Sequence, residues 1–207
     1  LAGPVTLALR ALKPSPSGGR GARELLTEGL HSRIAIFFTN PITILVIYIL
    51  GLYGLYLTNL FGSLMSSHIG HIAMTTHFLV SGLLLAYVAI GIDPKPRPLP
   101  YWARMILVLA AIILHTFFAV VMMASTTLIG ASWYSLVRPP WLTDPVRDSM
   151  LGGQIAWGVG EVPTLIMMII IGADWTRSDE RESKRRDRLT GSQGGPEKAA
   201  YHAYLTP

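Results

Sequence analysis

The chain has 207 residues, of which 51% are hydrophobic and only 14% are charged, and its mean hydropathy is +0.44. This composition is typical of a membrane protein and excludes an ordinary soluble domain. The net charge of +5 is concentrated between the apolar stretches and near the C-terminal end, so it does not indicate nucleic-acid binding. Because the chain has no cysteine, disulfides and thiolate metal ligands are excluded.

Residues 1–38 are predicted to be a cytoplasmic connector that includes a surface helix. Residues 14–21 are rich in Pro, Ser and Gly, which favours a flexible link. Residues 22–38 mix Leu and Ile with Arg and Glu, a pattern that suits an interfacial amphipathic helix and equally an ordinary linker helix. The chain starts with Leu1, and no signal segment precedes the first apolar stretch, so we expect a piece of a longer protein.

Residues 39–175 contain four apolar stretches of about the 20 residues that a membrane-spanning helix needs. They are Pro41 to Phe61, Ile69 to Ile92, Met105 to Gly130 and Leu151 to Ala173. Asn40 and Pro41 suit the start of the first helix, and four prolines between Asp93 and Pro100 exclude helix after the second. The pattern predicts an all-α, polytopic transmembrane helix bundle with four full spans.

The distribution of Lys and Arg predicts the orientation. Basic residues precede the first stretch, lie in the Pro-rich loop 93–100 and crowd residues 177–188, whereas residues 62–68 have none. By the positive-inside rule both termini of the chain and the Pro-rich loop are cytoplasmic. Residues 176–207 are predicted to form a basic, largely disordered cytoplasmic tail, because they are polar and rich in Gly.

Three ionisable side chains fall inside the apolar stretches, where each costs at least a few kcal/mol unless it has a partner. His77, His115 and Glu161 come from three different stretches and lie at similar depths. Such residues usually face the interior of a bundle and mark a functional site. The sequence therefore predicts one shared intramembrane site, although hydrogen bonds that only lock the helices together remain an alternative.

The neighbouring residue types favour copper at that site. His71 shares one side of its helix with His77, and Met122 shares a face with His115. Imidazole and thioether are ligands that suit copper, and Met prefers Cu(I). The predicted metal-site residues are His71, His77, His115, Met122 and Glu161, with ordinary packing as the alternative for the methionine.

Several segments resemble one protein family. The segments are Asp148–Pro163 (DSMLGGQIAWGVGEVP), Trp175–Glu182 (WTRSDERE), His77–Gly82, His115–Val120 and Gly3–Arg10. Together they are similar to the C-terminal part of the CtaG-type cytochrome c oxidase assembly factors, over nearly the whole chain up to about Arg188. In actinobacteria these factors are fused behind a copper-resistance CopD-like domain.

The resemblance implies a multi-pass protein of the bacterial plasma membrane that assists cytochrome c oxidase assembly by binding or delivering copper. It also implies that the N-terminal segment is the remnant of a helix, that further membrane helices lie upstream in the parent chain, and that the partners are the lipid bilayer and subunits of the haem–copper oxidase. Copper is the implied cofactor or cargo.

Two other functions remain open, namely copper transport across the membrane and a b-type haem-binding electron carrier that uses His77 and His115 as axial ligands. The absence of a second His pair in these stretches disfavours haem. An enzyme is not expected, because the stretches contain neither a nucleophile–base pair nor an HExxH motif.

Overall fold

The structure, a computed structural model, describes residues 3–15, 19, 21–137 and 139–205, without the side chains of residues 190–200, 202 and 205. The described residues form helices and no strands, which confirms the all-α fold. Half of the connector predicted for residues 14–21 lies outside the described residues. The helices are α1 (Pro4–Ala11), α2 (Ala22–Leu30), α3 (Arg33–Phe38), α4 (Pro41–Ile49), α5 (Leu60–Met65), α6 (His68–Ile90), α7 (Tyr101–Ala124), α8 (Ala131–Tyr134) and α9 (Pro145–Leu205), with a π-helical segment, Leu50–Gly54, after α4.

Three of the helices are long and apolar enough to cross a membrane: α6, α7 and the part of α9 between Pro145 and Leu189. At about 1.5 Å per residue, α6 and α7 are each about 35 Å long, against about 30 Å of hydrocarbon. Many of their large apolar side chains are exposed, for example Ile69 (81%) and Ile169 (70%). Exposed apolar surface of this extent fits contact with lipid rather than water.

The first predicted span, residues 41–61, is not a full span in the structure. Its apolar helix covers Pro41–Gly54, about 21 Å, and a turn separates it from α5. The Thr58 hydroxyl donates to the Gly54 carbonyl at 2.6 Å and accepts from the Leu60 amide at 3.2 Å. These local bonds compete with the helical ladder. The prediction of four full spans is therefore not confirmed, and the structure supports three.

The interfacial segment is also divided. The sequence predicted one helix over residues 22–38, but α2 ends at Leu30 and α3 begins at Arg33. The Ser32 hydroxyl accepts a hydrogen bond from the Ala35 amide at 3.1 Å, so Ser32 is the N-cap of a new helix. The segment is therefore two short helices rather than one.

The helix ends follow the residues that favour them. The Asn40 side chain accepts from the Ile42 amide at 2.9 Å and caps α4, as predicted. The Ser67 hydroxyl accepts from the Gly70 amide at 3.0 Å and caps α6. Helix α6 ends at Gly91, whose φ of +76° is left-handed and is readily adopted only by glycine.

The core lies where α6, α7 and α9 meet. Val88, Ala89, Val108 and Ala111 are each at most 1% exposed, and Ile171 of α9 packs against Val108 and Ala89. Small side chains at these contacts let the helix backbones approach closely, which is how helices associate in membranes. Helices α7 and α9 pack along much of their length, and this contact carries the site described below.

The Pro-rich loop joins α1 to the bundle. The buried Asp93 carboxylate accepts from the Thr6 amide at 2.8 Å and the Thr6 hydroxyl at 2.7 Å, and from the Val5 amide at 3.3 Å. Burial by itself would raise the pKa of Asp93, but these bonds and the charge of Lys95 outweigh it and lower that pKa. The carboxylate thus satisfies free amides in the first turn of α1.

Helix α9 continues through Leu205, where the composition predicted a largely disordered tail. Beyond the apolar part, the Arg186 guanidinium donates to the Glu182 carboxylate one turn earlier at 2.5 Å. Pairs with this spacing stabilise an exposed helix by a few tenths of a kcal/mol each. Charge spacing therefore supports helix in the first part of the predicted tail, before its glycines at positions 191–195. The His202 side chain lies outside the described residues.

The orientation can be tested directly, because the chain has no native cysteine. Ser66 lies just after α5 and Pro98 lies in the Pro-rich loop, and both side chains are exposed. If both termini are cytoplasmic, Ser66→Cys should react with a membrane-impermeant maleimide on intact cells, and Pro98→Cys should react only after lysis. Labelling of Pro98→Cys on intact cells, with Ser66→Cys protected, would reverse the orientation.

Candidate functional site

Glu161 is held at the contact between α7 and α9. Its Oε1 atom accepts hydrogen bonds from the Thr116 hydroxyl of α7 and from the Trp157 indole nitrogen of α9, the latter at 3.1 Å. Trp157 lies one turn before Glu161 on the same helix, so the two side chains meet on one face. A carboxyl group at bilayer depth is thus supported by two neutral donors, one from each helix.

His115 lies against the backbone of α9 beside Glu161. A Cβ atom at Gly160 would come within 2.7 Å of His115 Nε2 and 3.0 Å of Nδ1, closer than side chains pack. Only a residue without a side chain leaves room for the imidazole there. The His115 Nδ1 atom is buried and has no hydrogen-bond partner among the described residues.

His77 is accommodated by a second glycine. A Cβ atom at Gly51, in the π segment, would lie 2.5 Å from His77 Nε2. That nitrogen is also buried, and the part of the chain that the structure describes gives it no hydrogen-bond partner. Two imidazoles from two helices therefore each pack on a glycine and present an unsatisfied nitrogen.

The π segment connects these two positions. On one side Gly51 contacts His77 of α6; on the other the Tyr53 hydroxyl donates to the Leu114 carbonyl of α7 at 2.7 Å, next to His115. A π-helical turn widens the backbone and is found most often at functional sites. Here it is wedged between the helices that carry the two histidines.

The other two predicted ligands lie elsewhere. His71 is exposed, and its Nδ1 is 3.4 Å from the sulfur of Met65 in α5. Met122 packs against Gly153 and lines a cavity of about 270 Å³ together with Tyr56 and Phe118. Within the described residues, no three His, Cys, Asp or Glu side chains gather as a metal site. A metal site built from all five predicted residues stays a prediction.

Sequence reasoning missed Thr116, Gly51 and the steric role of Gly160. Thr116 follows His115 directly, but its hydroxyl reaches Glu161 only because α7 and α9 pack in this register. Gly51 sits in the run LGLYG, where its closeness to His77 depends on α4 and α6 meeting. The nearest signal is the pair of glycines at positions 158 and 160, because small residues let helix backbones approach closely.

Comparison with known proteins decides the family. The model of one family, described as cytochrome c oxidase caa3 assembly factor, matches residues 1–178, which is most of the chain. The chain belongs to this family. The resemblance seen in the residues is thereby confirmed, and the family's assembly role suggests a non-catalytic protein. The predicted fusion to a CopD-like domain stays a prediction.

Curated relatives of the chain are found in mycobacteria. Uncharacterized proteins of Mycobacterium bovis and Mycobacterium tuberculosis are each 43% identical to it over 208 residues, and one of Mycobacterium leprae is 41% identical over 207. Each alignment covers 99% of this chain but 31% of the relative, so the chain spans under a third of their length. No solved structure matches the chain.

Proposed function

We propose that this chain assists cytochrome c oxidase assembly in the bacterial plasma membrane by binding copper at His77 and His115 and passing it to an oxidase subunit. The observation that carries the proposal is a pair of buried imidazole nitrogens beside the π segment that have no hydrogen-bond partner among the described residues. Leaving such an atom unsatisfied costs about 1–3 kcal/mol, which a bound ion would offset. Neutral imidazole is a good ligand for copper.

In this proposal Glu161 lies beside the copper site and is not itself a ligand. Its Oε1 atom is occupied by Thr116 and Trp157, which orients the carboxyl group beside the Gly160–His115 contact. A carboxylate near a metal-binding imidazole stabilises the bound cation through its negative charge. Since the described residues hold no three-ligand group, we propose that the remaining ligands come from the rest of the parent chain or from the oxidase.

Copper transport is the second candidate, and one contact favours it. His71 and Met65 place a nitrogen and a sulfur 3.4 Å apart at the end of α6 that is predicted to face outward. With Met122 farther along, such weak sites would form a path toward His115. Copper uptake by proteoliposomes that contain the full-length protein separates this from delivery without transport. Among the described residues, no contact of His77 or His115 favours the haem alternative.

The copper proposal is tested by metal content. His77→Ala and His115→Ala in the full-length protein should each lower the copper bound per protein after purification, measured by inductively coupled plasma mass spectrometry. Each should also lower assembled oxidase in the membrane while the assembly factor itself stays abundant. His31→Ala is the matched control, because that exposed imidazole bonds only the Thr27 carbonyl of its own helix region. Wild-type copper and oxidase levels in both test variants would rule the proposal out.

A further inference from the structure

A long apolar groove of about 590 Å³ runs beside the C-terminal half of α6. Its walls come from α1, from α3 and from α6, and include Val5, Phe38, Val80, Leu83, Ala86 and Tyr87. From Val80 to Ile90 the groove follows α6 for about 15 Å, which is half of the hydrocarbon thickness of a bilayer. Its length and apolar lining therefore match one acyl chain of one leaflet.

Two cations lie next to Gly91 at the end of the groove, where Asp93 also forms part of the wall. Gly91 lines that end, and a Cβ atom built on it would lie 2.5 Å from Arg104 Nη1 and 3.1 Å from Lys95 Nζ. Lys95 donates to the Val88 carbonyl at 2.6 Å, and Arg104 donates through Nε to the Leu99 carbonyl at 2.8 Å. An ammonium has three N–H donors and a guanidinium five, so both groups have further donors to offer.

The positive charge of Lys95 and Arg104 at this end of the groove favours a bound anion. Burial and the neighbouring Arg104 lower the pKa of Lys95 to about 8, so each cation disfavours the other. Asp93, which also lines this end of the groove, raises the pKa of Lys95, but by less than burial and Arg104 lower it. A phosphate between Lys95 and Arg104 would relieve the repulsion and accept from both.

We propose that this groove binds an anionic phospholipid, with its phosphodiester at Lys95 and Arg104 and one acyl chain along α6. Apolar walls and paired cations at one end fit an amphiphile with one negative charge better than a peptide helix or a zwitterionic lipid. Basic pockets between membrane helices commonly select such headgroups. The site is separate from the histidines and does not depend on copper.

The test uses the full-length protein, delipidated in detergent and titrated with phosphatidylglycerol or phosphatidylcholine, with bound lipid counted by native mass spectrometry. Phosphatidylglycerol should bind roughly thirtyfold more tightly, as two cations near a lipid surface imply. The double variant Lys95→Gln/Arg104→Gln should lose this preference, whereas Arg97→Gln, an exposed cation of the same loop, should keep it.

A second variant keeps the test valid if the double variant misfolds at the loop. Ala86→Phe should fill the groove and weaken phosphatidylglycerol binding while leaving both cations in place, and Leu109→Phe, exposed on α7, is its control. Equal affinity for the two lipids, or wild-type phosphatidylglycerol binding in both the double variant and Ala86→Phe, would overturn the proposal. So would competition by glycerol phosphate as strong as by the lipid, because the groove would then contribute nothing.

Discussion

Gly160→Ala should sharply reduce assembled oxidase and destabilise the assembly factor itself. A methyl group at this position would occupy the volume of the His115 imidazole, so α7 and α9 would have to separate or the ring would have to leave. Overpacking of this kind costs about 1–3 kcal/mol. The measurements are the thermal midpoint of the purified full-length protein and the oxidase level in membranes.

Gly158→Ala provides the matched control, two residues away on the same helix. Apart from its chain neighbours and its own helix backbone, no atom of the described residues lies within 4 Å of its Cβ position, so the methyl group meets open space. In a helix interior, Ala is favoured over Gly by about 1 kcal/mol, so this variant should be neutral or more stable. Equal losses in Gly158→Ala and Gly160→Ala would show that the His115 contact has no special role.

Glu161→Ala and Glu161→Gln should distinguish the hydrogen-bonding role of the Glu161 side chain from the role of its charge. The alanine leaves the Thr116 hydroxyl and the Trp157 indole without their acceptor, and each unsatisfied donor costs about 1–3 kcal/mol. We therefore expect a marked drop in stability. The glutamine keeps a carbonyl oxygen for both donors, so we expect near wild-type stability together with a loss of assembled oxidase, because the carboxylate charge is gone.

The measurements for Glu161 are the protein level in membranes, the thermal midpoint and the copper content of the oxidase. Thr116→Val gives an independent check, since it removes one donor and keeps the side-chain volume. It should lower stability less than Glu161→Ala, because only one of the two hydrogen bonds is lost. A normal copper content of the oxidase in the Glu161→Gln variant would show that Glu161 only joins α7 to α9 through hydrogen bonds.

Most of the architecture could be predicted because hydropathy and helix length are local properties. The stretches that became α6, α7 and α9 are apolar over the length that a bilayer requires, whatever they pack against. The prediction of a full span for the first stretch is not confirmed, because hydropathy does not register Thr58, whose hydroxyl bonds the backbone where the apolar helix gives way to a turn. The single helix predicted over residues 22–38 is divided for a similar reason, because the Ser32 hydroxyl caps a new helix.

The sequence by itself determined the membrane class, the family and which residues are costly in hydrocarbon, since each of these depends on residue type and order alone. Only the tertiary structure decided their surroundings: His115 on Gly160, His77 on Gly51, and Glu161 between Thr116 and Trp157. Those contacts join helices far apart in the chain, and they depend on the rotation and register with which α7 meets α9 and α6 meets the π segment. The apolar pattern of one helix encodes neither this rotation nor this register, because both follow from how the small and large side chains of two helices interlock.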